Sequence, residues 1–210
     1  MQRLFLTSSG SAVAQDISKK IGKKSRGMRL AFIDTATEVE EGDKGWLRDD
    51  RAALVSVGFD LFDYTLTGKI SRHLHDDLAG VDVVFLEGGN QFYLLQQIQQ
   101  SGFAPVIRAL INKGVIYIGS SAGSQVAGPD LYPTYRPDHV KKAPLLKGYQ
   151  GLGLVNFVVF PHWGSKSFKD LYLNFRMMHA YTTKHKIILL TDRQYIRVEG
   201  EMYRIEDVKR

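Results

Sequence analysis

The chain contains no cysteine. Disulfides, thiolate metal sites and a cysteine nucleophile are excluded, and the lack fits a reducing compartment. Long apolar runs are missing too: none approaches the roughly 20 residues that cross a bilayer. The apolar core at the amino end, Leu4 to Leu6, is too short for a secretory signal. The expected location is the cytoplasm, with no membrane partner. No internal repeat, low-complexity tract or linker is present. Charge of either sign is not in large excess, with 28 Lys and Arg against 22 Asp and Glu, a net of +6. That balance permits an anionic partner without demanding one. The densest basic stretch is Lys19, Lys20, Lys23, Lys24, Arg26 and Arg29. No aromatic residue interleaves with it, so it reads as a solvated helix and loop rather than a nucleic-acid surface.

What is present is ordinary globular composition, 44% hydrophobic and 24% charged over 210 residues. This length suits one domain over residues 1–210 that can bury a sizeable core. Short apolar runs alternate with amphipathic stretches. Strands are expected at 3–7, 28–33, 59–66, 81–86, 115–118, 155–160, 187–190, 195–198 and 202–205. Helices are expected at 11–24, 45–57, 69–79, 92–99, 103–113, just after Gly119, and at 167–183. Residues 131–150 hold Pro133, Pro137 and Pro144 and read as a long functional loop. The alternation predicts an α/β fold, a three-layer sandwich whose mostly parallel central sheet carries helices on both faces. In such sheets the working groups lie at the carboxyl ends of the strands.

At one such end the run VIYI enters G-S-S-A-G, a G-x-S-x-G centred on Ser121. A sharp strand-to-helix turn lifts the central side chain, and the flanking positions, Gly119 and Gly123, must be small because backbone crowds there. A helix amino terminus at the same place favours an oxyanion. A second junction, VFLEGGNQFYLL, offers Gly88 and Gly89. With the two strands adjacent, Gly89 N–H and Ala122 N–H would face one developing negative charge, and Asn90 would cap a helix or meet substrate.

A serine nucleophile needs a base. Of six histidines, His162 in VVFPHWG follows a strand end, and His139 is the fallback. His73 and His75 sit two apart on a helix, where they face away from each other and make a poor metal pair. The orienting acid has three candidates, Asp130, Asp138 and Asp192. Asp138 is preferred because it gives the order Ser, Asp, His; Asp130 could merely cap a turn, and Asp192, which follows the run IILL, could also approach the edge. Arg136, His139, Lys141 and Lys142 offer positive charge near the site.

Together these residues resemble the family of peptidase E (aspartyl dipeptidase) and cyanophycinase. Those are serine hydrolases on a class I glutamine amidotransferase-like sheet. The likeness runs from RLFLTSSG through GGN-x-F-x-L-L and G-x-S-A-G to LLTDRQYIRVEG. It implies Ser121 as nucleophile, His162 as base, Gly89 and Ala122 amides as the oxyanion hole, and an acid in the loop after the nucleophile helix, best matched by Asp138. Glu87 departs from the pattern by standing where a third glycine is common, and Ser120 by standing where a larger residue is common. The implied activity is hydrolysis of short peptides through an acyl-enzyme, with dipeptides carrying an amino-terminal Asp as the suggested class. Asn90, Arg136 and His139 are expected to touch substrate. No metal or organic cofactor is expected, the partner is a small peptide, and a homodimer is compatible with the sequence. The rival readings are an esterase of the α/β-hydrolase type and a catalytically silent small-ligand binding protein.

Overall fold

In the computed structural model of the chain, residues 2–22 and 25–208 are described; Lys23 and Lys24 of the basic stretch, and the end of the helix expected over 11–24, lie outside them. The strands are β1 (Arg3–Thr7), β2 (Arg29–Ile33), β3 (Asp60–Tyr64), β4 (Val83–Leu86), β5 (Ile116–Ser120), β6 (Phe157–Phe160), β7 (Lys186–Leu189), β8 (Gln194–Glu199) and β9 (Met202–Asp207). Seven of them form one sheet in the order β3-β2-β4-β5-β1-β8-β9. The first five run parallel, and β8 and β9 add an antiparallel hairpin at one edge. The mostly parallel α/β architecture expected from the sequence is therefore found.

The alternation along each strand explains the layers. Successive side chains on a strand point to opposite faces. Leu30, Phe32, Val83, Phe85, Ile116 and Ile118 lie on one face, over helices α1 (Gly10–Ile21) and α2 (Gly45–Ser56). Ala31, Ile33, Val84, Leu86 and Tyr117 lie on the other. There they meet α3 (Ser71–Asp77), α4 (Gln91–Ser101), α5 (Phe103–Asn112) and the short α6 (Ala122–Val126). Both faces are covered, so the central strands read as continuous apolar runs.

Two features differ from expectation. The strands β6 and β7 do not join the main sheet; they form a separate parallel pair with Phe160 opposite Leu189. The loop over 131–150 is also partly helical, with a 3₁₀ turn at Tyr132–Thr134 and helix α7 (Pro137–Lys141). Proline at the first position of α7 starts the helix rather than breaking it, because that N–H has no helical partner anyway. The helix expected at 167–183 is found over 166–180 and passes through a π-turn at Tyr172–Arg176.

Candidate active site

The carboxyl ends of β1, β4, β5 and β6 converge on one cavity of about 340 Å³. Ser121 follows β5 directly. Its φ of 46° and ψ of −102° place it in a strained turn, which costs on the order of 1–3 kcal/mol and is sustained by its surroundings. Ser121 N–H donates to Thr7 O at 2.9 Å, and Ser121 O accepts Gln125 N–H at 3.0 Å. The flanking glycines are obligatory. A Cβ on Gly119 would stand 2.7 Å from the backbone of Gly123, and one on Gly123 would stand 2.0 Å from Leu86 O.

His162 lies just beyond β6, and its Nε2 is 2.9 Å from Ser121 Oγ. Its other nitrogen, Nδ1, is 2.6 Å from Asp192 Oδ1, just beyond β7. A carboxylate on Nδ1 keeps the ring proton there and leaves Nε2 to accept from the serine hydroxyl. The imidazole is held from several sides. Phe168 stacks on it at 4.2 Å between ring centroids. Ser8 Oγ accepts His162 N–H and donates to Leu190 O. The π-turn directs Tyr172 Oη and an Arg176 guanidinium N–H to the same carbonyl, Pro161 O, at 2.8 and 2.7 Å.

The expectation for the acid is corrected here. Asp138 sits on α7 with its carboxylate 2.6 Å from the Arg136 guanidinium. Partial burial would raise its pKa, but the Arg136 hydrogen bonds outweigh this and hold it below the usual carboxylate range. Asp130 accepts the Tyr132 N–H and closes a turn. Asp192, which follows a strand as Asp138 does not, is the carboxylate beside His162. The chain order of the three groups is Ser, His, Asp.

Gly89 stands at φ +124°, against Ala36, where a Cβ would fall 2.4 Å from Ala36 O. A Cβ on Gly88 would be 3.2 Å from Ser121 Cβ, so this loop lies beside the serine. Among the described residues neither Gly89 N–H nor Ala122 N–H has a protein acceptor. Gly89 lines the cavity, whereas Ala122 is fully buried and is not among its lining residues. Asn90 is a second correction. Its side chain is consumed in structure, accepting from Phe92 N–H and Tyr93 N–H and donating to His139 O, and it does not line the cavity. Arg136 and His139 do line it. His139 is pushed down to about 4, by burial first and the Arg136 charge second, so it is neutral at neutral pH.

Several lining residues carried no sequence signal, among them Asp50, Gln125 and Arg176. Arg176 is buried, its pKa is lowered by burial, and among the described residues it has no carboxylate partner. Among the described residues five buried side-chain atoms lack a protein hydrogen-bond partner, and four of them, on Glu40, Glu87, Gln125 and Arg176, belong to residues of this cavity. An unpaired buried polar atom costs about 1–3 kcal/mol, and the atoms on Glu40, Gln125 and Arg176 leave polar groups open at the cavity wall.

A family model described as peptidase family S51 matches residues 4–206. An uncharacterized peptidase of Pasteurella multocida is 31% identical over 204 residues, covering 96% of this chain and 95% of that one. The peptidase E of Streptomyces coelicolor is 31% identical over 139 residues, 65% of this chain and 52% of its own length. A crystal structure from Listeria monocytogenes EGD-e, named provisionally as a peptidase E, superposes with a TM-score of 0.87 at 27% identity over the whole of both chains.

Proposed function

The chain belongs to peptidase family S51, and from that premise we propose that it hydrolyses short peptides through an acyl-enzyme formed on Ser121. The observation that carries this is the contact series Ser121 Oγ to His162 Nε2 at 2.9 Å and His162 Nδ1 to Asp192 Oδ1 at 2.6 Å. In this reading Ser121 attacks the scissile carbonyl as His162 takes its proton. Asp192 fixes the tautomer and stabilises the imidazolium. The Gly89 and Ala122 amides, neither of which has a protein acceptor among the described residues, are assigned to the oxyanion in this reading. His162 then protonates the leaving amine, and water repeats the sequence to release the acid.

The cavity supports a small, charged substrate. Its volume suits a dipeptide rather than a folded chain. Arg176 and Arg136 present positive charge to it, which favours a peptide whose first residue is acidic. A panel of unblocked dipeptides, run with wild type and Ser121→Ala, tests the reading. Turnover of Asp-X peptides by wild type alone is expected. Equal turnover by Ser121→Ala would sink it.

A further inference from the structure

Strand β4 ends in a carboxyl group that the chemistry above does not use. Glu87 is fully buried at the cavity wall. Its Oε1 accepts the Gly88 N–H at 2.5 Å, and its Oε2 has no protein partner. Asp50, also buried, lines the same cavity from α2. The two Asp50 oxygens accept Gly10 N–H at 3.0 Å, Ser11 N–H at 2.7 Å and Ser120 Oγ–H at 2.9 Å. One carboxyl is thus fully supplied with donors and its neighbour is not. Burial first, then the adjacent Asp50 charge, with a smaller contribution from Asp34, raise Glu87 well above the usual carboxylate range.

The consequence falls on the loop that follows. Glu87 occupies the Gly88 amide, so Gly89 N–H is the first donor after β4 left for a substrate oxygen. On its far side Gly89 is pressed against Ala36, and Asn90 N–H donates to Ala36 O at 2.9 Å. Asp50, through Ser120, grips the residue before Ser121. We propose that Glu87 is a positioning residue for the oxyanion site: it anchors the Gly88 amide at the tip of β4, so that Gly89 N–H meets the carbonyl that Ser121 attacks. Being fully buried, Glu87 acts through the glycine loop and does not touch substrate. The assignment rests on the peptidase reading above.

The test compares Glu87→Ala and Glu87→Gln by dipeptide kinetics and by the rate at which a fluorophosphonate probe labels Ser121, with circular dichroism to verify folding. A lost or misplaced oxyanion donor costs about 10²-fold or more in kcat. Glu87→Ala is expected to lower kcat by roughly 10- to 100-fold at little-changed KM and to slow labelling in parallel. Glutamine keeps an acceptor for Gly88, so Glu87→Gln is expected to restore at least about half of both rates. A folded Glu87→Ala with wild-type kcat and labelling overturns the proposal. So does a Glu87→Gln as slow as Glu87→Ala, or a change confined to KM. If the alanine variant does not fold, Glu87→Asp, whose shorter arm withdraws from Gly88, takes its place with the same expected loss. Wild type that is labelled but cleaves no dipeptide leaves labelling rates to decide. Wild type that is never labelled removes the hydrolytic reading, and this assignment with it.

Discussion

His162 and Asp192 meet across the tips of two parallel strands, with Nδ1 and Oδ1 2.6 Å apart. The contact predicts unequal costs at two aspartates. Asp192→Asn is expected to lower kcat by about 10²–10⁴, because the imidazole loses its tautomer and its counter-charge. The Asp192 side chain is 43% exposed, so water offsets part of the loss. Asp138→Asn frees Arg136 instead and is expected to move KM more than kcat. Steady-state kinetics of both variants on one dipeptide decides; a larger kcat loss in Asp138→Asn would reverse the assignment.

The strained serine predicts opposite effects on rate and stability. Ser121→Ala is expected to lower kcat by at least about 10⁴. Its melting temperature is expected to stay within a few degrees of wild type, since no backbone contact is lost. Ser121→Gly, which adopts the positive φ at no cost, is expected to melt higher than Ser121→Ala. Calorimetry on the pair checks this.

Gly123 sits so close to Leu86 O that no side chain fits. Gly123→Ala is expected to destabilise by several kcal/mol or to leave the protein insoluble. Chemical denaturation of whatever soluble protein is recovered measures the effect; a wild-type midpoint would refute the close approach.

Two buried groups predict a stability profile with a slope on each side. His139 ionises near 4 in the folded protein but near 6.5 when unfolded, so stability is complete above about pH 6.5 and falls as pH drops toward 4. Glu87 is shifted the other way. Its folded form keeps a proton that the unfolded chain releases near 4.3, so stability is complete below that and declines as pH rises toward the folded value. His139→Gln is expected to flatten the acid slope, and Glu87→Gln the rising-pH slope, in melting temperature recorded against pH.

Much of this was legible from residue patterns. The parallel core strands announced themselves as unbroken apolar runs, and Ser121 and His162 follow from their places at strand ends. The same rule favours Asp192 over Asp138, because LLTD leaves a strand and RPDHV starts a helix. Chain order misdirected the choice, since order constrains geometry far less than strand position does. Asn90 illustrates another limit: its type suits both capping and substrate contact, and only the amides of Phe92 and Tyr93 reveal which is used. Arg176 was invisible because its role depends on a π-turn, a local register change that no periodicity records. The separation of β6 and β7 from the main sheet was equally hidden, for a four-residue apolar strand looks the same in either sheet.

That separation divides the reactive groups between two independently hydrogen-bonded ladders. Ser121 follows a strand of the large ladder, and His162 and Asp192 follow the two strands of the small one, with Ser8 bridging them at Leu190 and His162. Catalytic competence is then a property of their docking. Mild denaturant would silence the enzyme by parting the ladders while most amide protons of the central strands still resist exchange with solvent.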